Sequence, residues 1–325
     1  MMSQSFCKFS TTWPYAFILL VAALNAHSAP SKAPSPPITY RAAQDSEPAQ
    51  SSAKYDASSA QQSYVALAGG LYSNALGGAL ALSKAIEAFS DAPSTTTLEA
   101  ARSACASARR AYLVTAAFHA YGGPIDGPKS AVRAKGPALS IDKNFNVLER
   151  ALASNALILQ LTNKNTGAAA RKSLAAATSA LQSDLTFVLK EWDPIRRTSY
   201  AQEFLQLEGS EAIGRLLRGL VMQANALSNM PVSAARDDNV NAILSGMHSI
   251  WHAQLNKITA PSVNALLVKI DADAAAAVSG ALATAQTQAN ANDPALPATL
   301  EKLALAIANA GTRLGVVIAT KRLAM

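Results

Sequence analysis

Arg109, Tyr112, Thr115 and His119 follow one another at intervals of three, three and four residues. On a helix such intervals place side chains along one face. The set offers a guanidinium, a phenol, a hydroxyl and an imidazole, which can bind an anion, orient a polar ligand or ligate a cation. The segment "AFHAYGGPID", residues 117–126, then halts the helical pattern with two glycines and Pro124. Glycine accepts left-handed backbone angles and proline blocks helix continuation. Asp126 can cap the backbone beyond this turn, and the turn can wall a site between helices. Arg109 can pair with Asp126 or with Glu149 across a cleft, or form an exposed salt bridge instead. His119 can ligate a metal, or serve as a polar residue favoured by the helix dipole.

Other candidates are weaker. His248 and His252 in "HSIWH" have the i, i+4 spacing of a chelating pair. Ser249 stands where a zinc protease would carry its glutamate, and no third ligand is evident nearby. Lys129, Arg133, Lys135 and Lys143 can attract an anion or form a solvated loop. Neither a nucleophile–histidine–acid arrangement nor a phosphate-cradling glycine loop stands out.

The elements that must position these residues are helical. Half of the 325 residues are hydrophobic, much of that half is alanine, and only 6% are aromatic. Alanine favours helix and leaves little side chain to bury, whereas strands want β-branched and aromatic residues. The formal charge of +7 is spread along the chain, and a nucleic-acid surface would need it clustered. The near-apolar run Trp13–Leu24 has the length of a signal-peptide core and is too short for a bilayer span. It predicts export, with cleavage between Ser28 and Ala29, an uncleaved anchor being the alternative. Loss of Lys8 with that segment lowers the charge from +7 to +6. No transmembrane span is expected after its removal. Cys105 then stands alone, so no internal disulfide can form, and its Ala-rich surroundings predict a buried apolar role. Residues 29–62, rich in Pro, Ser and Ala, read as a flexible tether.

From Ser63 onward, eight helices are expected, at 63–89, 96–121, 141–161, 167–191, 209–228, 237–257, 262–289 and 296–322. Turn-forming segments such as "NKNTG", "SNMPVS" and "NANDPALP" separate them. Eight helices in neighbouring pairs predict an all-α fold of two side-by-side four-helix bundles. Trp192 and Trp251 are expected to anchor helices in a core poor in aromatics.

With these residues in view, "LEAARSACASARRAYLVTAAFHAYGGPID" resembles the first signature of the imelysin family, also known as imelysin-like peptidases or insulin-cleaving metalloproteinase homologues. Arg109, Tyr112, Thr115, Phe118 and Gly123–Pro124–Ile125–Asp126 fall in register with it. "LQSDLTFVLKEWDP" (181–194) and "RLGVVIA" (313–319) extend the resemblance over most of residues 63–320. It implies two pseudo-symmetric four-helix bundles in an exported bacterial protein, periplasmic or attached to the outer membrane and linked to iron regulation and uptake. Its partners would be other envelope or iron-uptake proteins.

The family's GxHxxE metal motif is degenerate here. Its best counterpart is "NFNVLER" (144–150), with Asn144 for the glycine, Asn146 for the histidine and Glu149 for the glutamate. The glutamate of the first signature falls at Ala116. Iron and zinc sites want imidazole, thiolate or carboxylate, so Asn146 and Ala116 weaken any such site. Glu149 and His119 are the remaining metal candidates. The expected ligand set is Arg109, Tyr112, Thr115, His119, Asp126, Asn146 and Glu149. Three readings follow: a ligand-binding envelope protein linked to iron or metal uptake with an altered metal site, an imelysin-type metallopeptidase, and a non-catalytic scaffold. The replaced ligands disfavour the peptidase, since a hydrolytic metal needs about three protein ligands and an open position.

Overall fold

Alanine spacing and local caps set the helices of the protein. A computed structural model describes residues 55–119, 123–125, 139–230 and 237–320. The expected signal peptide, most of the tether, and Asp126, Lys129, Arg133 and Lys135 lie outside the described residues. In chain order the elements are α1 (Ser58–Asp91), α2 (Thr95–Leu113), a 3-10 turn (Ala116–His119), α3 (Ile141–Ala153), α4 (Ala156–Thr162), α5 (Gly167–Glu191), α6 (Tyr200–Leu205) and α7 (Gly209–Ser228). Then come α8 (Asp237–His252), strands β1 (Gln254–Leu255) and β2 (Ile258–Thr259), α9 (Val263–Val268), α10 (Ala272–Asn290) and α11 (Leu296–Arg313). Among the described residues the fold is all-α apart from this two-stranded antiparallel hairpin.

Helix contacts fall into two sets. α1 packs on α2 and α5, and α3 packs on α2 and α5. α7 packs on α11, α11 on α10, and α10 on α8. Contacts of α2 with α8 and of α1 with α7 join the sets. Small residues permit the close approaches: a Cβ on Gly78 would meet Ala108 Cα at 3.0 Å. Leu82, Leu181 and Leu303 are fully buried, each such side chain contributing about 1.5–3 kcal/mol. α1 is long and apolar enough to cross a membrane by composition. Its Tyr64, Tyr72 and Phe89 are buried in the core.

Trp192 and Trp251 are both buried. Trp251 Nε1 donates to Ser279 Oγ at 3.0 Å, tying α8 to α10. Trp192 meets Phe118, Tyr200 and Phe204 edge-on.

Several boundaries depart from the sequence reading. The folded region begins before Ser63: Ala57 and Ala60 are buried, and Tyr55 Oη donates to Leu314 O at 3.1 Å. α3 stops at Ala153 because Arg102 donates to the carbonyls of Leu152 and Ala153 and to Asn155 Oδ1. The helix expected to run to residue 257 ends at His252. Asn256 and Lys257, both at positive φ, turn the chain into the hairpin instead. Asp271 starts α10 by accepting from Ala274 N, which splits the helix expected at 262–289. α11 ends at Arg313 rather than 322, since Gly315 takes φ 73° and Val316 N donates to Gly311 O at 2.8 Å.

The consequential departure lies at the end of α2, expected to reach Tyr121. α2 ends at Leu113, and residues 116–119 form a 3-10 turn that contacts α7 and α8. Gly219 of α7 and Gly246 of α8 lie against this segment. A Cβ at Gly219 would fall 2.2 Å from Ala117 O, and one at Gly246 would fall 2.0 Å from Val114 O. Gln223 of α7 donates to Ala116 O at 3.1 Å. The second helix set thus reads the backbone where α2 unwinds.

Gly246→Ala and Gly219→Ala are expected to destabilise the fold by about 1–3 kcal/mol each, because carbonyl groups must shift. Gly280→Ala has open space around its added Cβ. It should be neutral or stabilising by up to about 1 kcal/mol from helix propensity. Denaturant unfolding of the three variants checks the contrast.

Candidate functional site

The last turns of α2 and the facing side of α3 build one polar cluster over an aromatic floor. Asp142, Phe145 and Glu149 recur on α3 at i, i+3 and i+7, and Arg109 of α2 lies against all three. Arg109 Nη1 is 2.6 Å from Asp142 Oδ1, and Nε is 3.9 Å from Glu149 Oε1. The guanidinium carbon lies 5.1 Å from the Phe145 ring centroid and 5.9 Å from that of Tyr112. The Arg109 side chain is only 16% exposed, while Asp142 and Glu149 are 61% and 42% exposed. The guanidinium is therefore clamped between rings and solvated carboxylates. Opposite charges at such exposure stabilise by about 1 kcal/mol or less, and the cation–π contacts add a comparable amount. These three charges sum to −1.

Tyr112 is buried and stacks on Phe145 at 5.7 Å and on the His119 ring at 4.9 Å. Tyr72 of α1 stacks with the same imidazole and with Trp192, each at 6.5 Å. Cys105 is buried below Arg109. Burial, with help from the charge of Glu149, pushes its thiol up to about 12. It is the inert, apolar-like cysteine that its surroundings predict.

Thr115 is fully buried. Its Oγ1 donates to Tyr112 O at 2.7 Å and lies 2.8 Å from His119 Nε2. The hydroxyl has one proton, and the carbonyl accepts it. The ring nitrogen must then be the donor in the second bond, which fixes His119 as the Nε2–H tautomer. Burial holds the imidazole pKa down to about 4; Asp142 opposes this shift and Arg109 reinforces it. His119 is thus neutral at pH 7, not the imidazolium that a dipole role would require.

The candidate residues divide accordingly. Arg109, Tyr112, Thr115 and His119 converge, and Glu149 joins at the exposed rim. Asn146 is exposed and enters none of these contacts. On α3, Phe145 takes the inward position instead. Ala116 is buried and offers only its carbonyl, which Gln223 occupies. Lys143 is exposed. Among the described residues, no three His, Cys, Asp or Glu side chains come together to hold a metal ion. Glu149 contacts Arg109 while His119 contacts Thr115 and Tyr112, so the donors present do not fit the transition-metal site that a GxHxxE motif would form.

Asp142, Phe145 and Tyr72 belong to the cluster but were not singled out by sequence. The spacing of Asp142, Phe145 and Glu149 on one predicted helix face was the available signal. Tyr72 and Gly246 carried none, because their roles depend on how the two helix sets meet.

Comparisons with known proteins place the chain. The imelysin model of the M75 peptidases matches residues 68–314. A solved structure from Parabacteroides distasonis, assigned as an iron-regulated protein A precursor, superposes with a TM-score of 0.58 at 15% identity. That alignment covers 82% of this chain and 98% of the other. No curated protein matches the chain.

His119 should stay neutral on acidification to about pH 5, with an NMR titration midpoint near 4. Long-range nitrogen correlations should report the Nε2–H form. Because the unfolded imidazole titrates near 6.5, the unfolded state binds more protons between about pH 6.5 and 4. Stability is then present above 6.5 and falls on acidification through this window, by at most about 1.4 kcal/mol per pH unit for this residue. His119→Gln should flatten that part of the slope. A midpoint near 6.5 would contradict the neutral, half-buried ring.

Proposed function

Because the chain belongs to the imelysin family, we propose that it is an exported cell-envelope protein serving iron acquisition or homeostasis. It binds its ligand at the rim formed by Arg109, Asp142, Glu149 and His119. The single observation that carries this reading is the convergence of those residues where α2 breaks between the two helix sets. The iron link is supported by the iron-regulated name of the Parabacteroides distasonis protein that shares the fold. The apolar run at Trp13–Leu24 supports export. Lying near the N-terminus, it has the place and length of a signal sequence.

The site is altered relative to a metal-binding relative. In the register of the family motifs Asn146 and Ala116 replace a histidine and a glutamate, and the remaining carboxylates face Arg109. The ligand therefore meets a fixed guanidinium, two solvated carboxylates and a neutral imidazole, rather than a preformed metal. Charge and hydrogen bonding select it. A partner-binding scaffold is the second reading. It is favoured by the aromatic filling beneath the cluster, with Tyr112 and Phe145 under Arg109 and Tyr72 against His119, which leaves Asp142 and Glu149 at the surface.

Elemental analysis of untagged protein purified without chelator should find iron and zinc well below one equivalent per chain. A strain lacking the gene should grow poorly when iron is limiting, and wild-type protein but not Arg109→Ala should restore growth. Stoichiometric tightly held metal would overturn the altered site. Normal growth without the gene would overturn the iron role. Full rescue by a folded Arg109→Ala protein would favour the scaffold.

A further inference from the structure

We propose that His248 and His252 form a second, independent binding site, one that chelates a divalent transition-metal cation at the end of α8. The two rings stand one helical turn apart, with centroids 4.5 Å from each other and planes inclined at 44°. Imidazoles at i and i+4 on one face can converge on a single cation, and imidazole suits Zn2+, Ni2+ and Cu2+. His248 is exposed and His252 half-buried, so the pair is reachable from solvent.

Three features of the surroundings favour a cation. First, α8 ends at His252, and the last turn of a helix carries its negative dipole end. Second, partial burial holds both imidazoles below their ordinary pKa, and the charge of His248 lowers that of His252 further. Neutral rings are the ligating form. Third, His248 opens onto a groove between α8 and α10 lined also by Ser245, Gln286, Thr287 and Asn290. These neutral oxygen donors can anchor the waters that complete coordination. Gln286 is already oriented there by donating to Asn241 Oδ1 at 2.7 Å.

The number of ligands decides the kind of site. Two imidazoles do not close a structural site, which needs four protein ligands, nor a hydrolytic one, which usually has three and a nearby base. Ser249 occupies the position where such a base would sit. The pair is therefore suited to reversible, exchangeable binding, in the Irving–Williams order, with Cu2+ tighter than Ni2+ or Zn2+. The site is unconnected to the Arg109 cluster, and its failure would leave the reading of that cluster untouched.

The test uses the full-length chain without a polyhistidine tag. Titration calorimetry with ZnCl2 and with CuCl2 should give one equivalent per chain. His248→Ala and His252→Ala should each weaken binding at least about tenfold, with unchanged circular dichroism. Electron paramagnetic resonance of the Cu2+ form should show two imidazole nitrogens. Sub-stoichiometric Cu2+ should broaden the ring protons of His248 and His252 while those of His119 stay sharp. Absence of binding, a single coordinated nitrogen, or binding that survives the folded double variant would overturn the proposal.

Discussion

Two glycines set against two carbonyl groups hold this architecture together. Gly219 and Gly246 let α7 and α8 approach the backbone at Ala117 and Val114 far more closely than any side chain would permit. This contact couples the two helix sets at the point where α2 stops being an α-helix. The carbonyls released by unwinding find partners in Gln223 and Thr115, so the break is satisfied rather than strained. The placement of His119 follows from it.

The polar cluster is built by the same economy. Arg109 is a cation held over a wall of rings, and its two carboxylates come from one face of α3. Charge at the rim and aromatic packing underneath are separated by one layer of atoms. Polar selectivity is thereby confined to the surface while the interior remains apolar. A buried ionic network would have cost more in desolvation than it returned.

Much of this was legible in the sequence because alanine-rich periodicity is a local signal. The helix class, the cores of the long helices, the buried Cys105 and the tryptophan anchors follow from spacing and composition. So did the family, from the Arg109–Asp126 signature. What was illegible depended on partners remote in sequence. The end of α2 at Leu113 is imposed by α7 and α8, more than a hundred residues later. The stop of α3 at Ala153 is imposed by Arg102. The hairpin rests on positive φ at Asn256 and Lys257, a pair lacking the glycine that usually announces such a turn. Asn146 was placed in the site by motif register alone. The helix phase instead turns Phe145 inward and leaves Asn146 in solvent.

The tie between Tyr55 and Leu314 joins the two extremes of the described chain. Val316 and Ile318 fold back onto Gly214 and Gly311 just beyond it. Fraying is ordinarily a private affair of each helix end, but here the start of α1 and the stretch after α11 share one latch. Neither end can peel away without freeing the other, so their amide exchange should rise and fall as a single event.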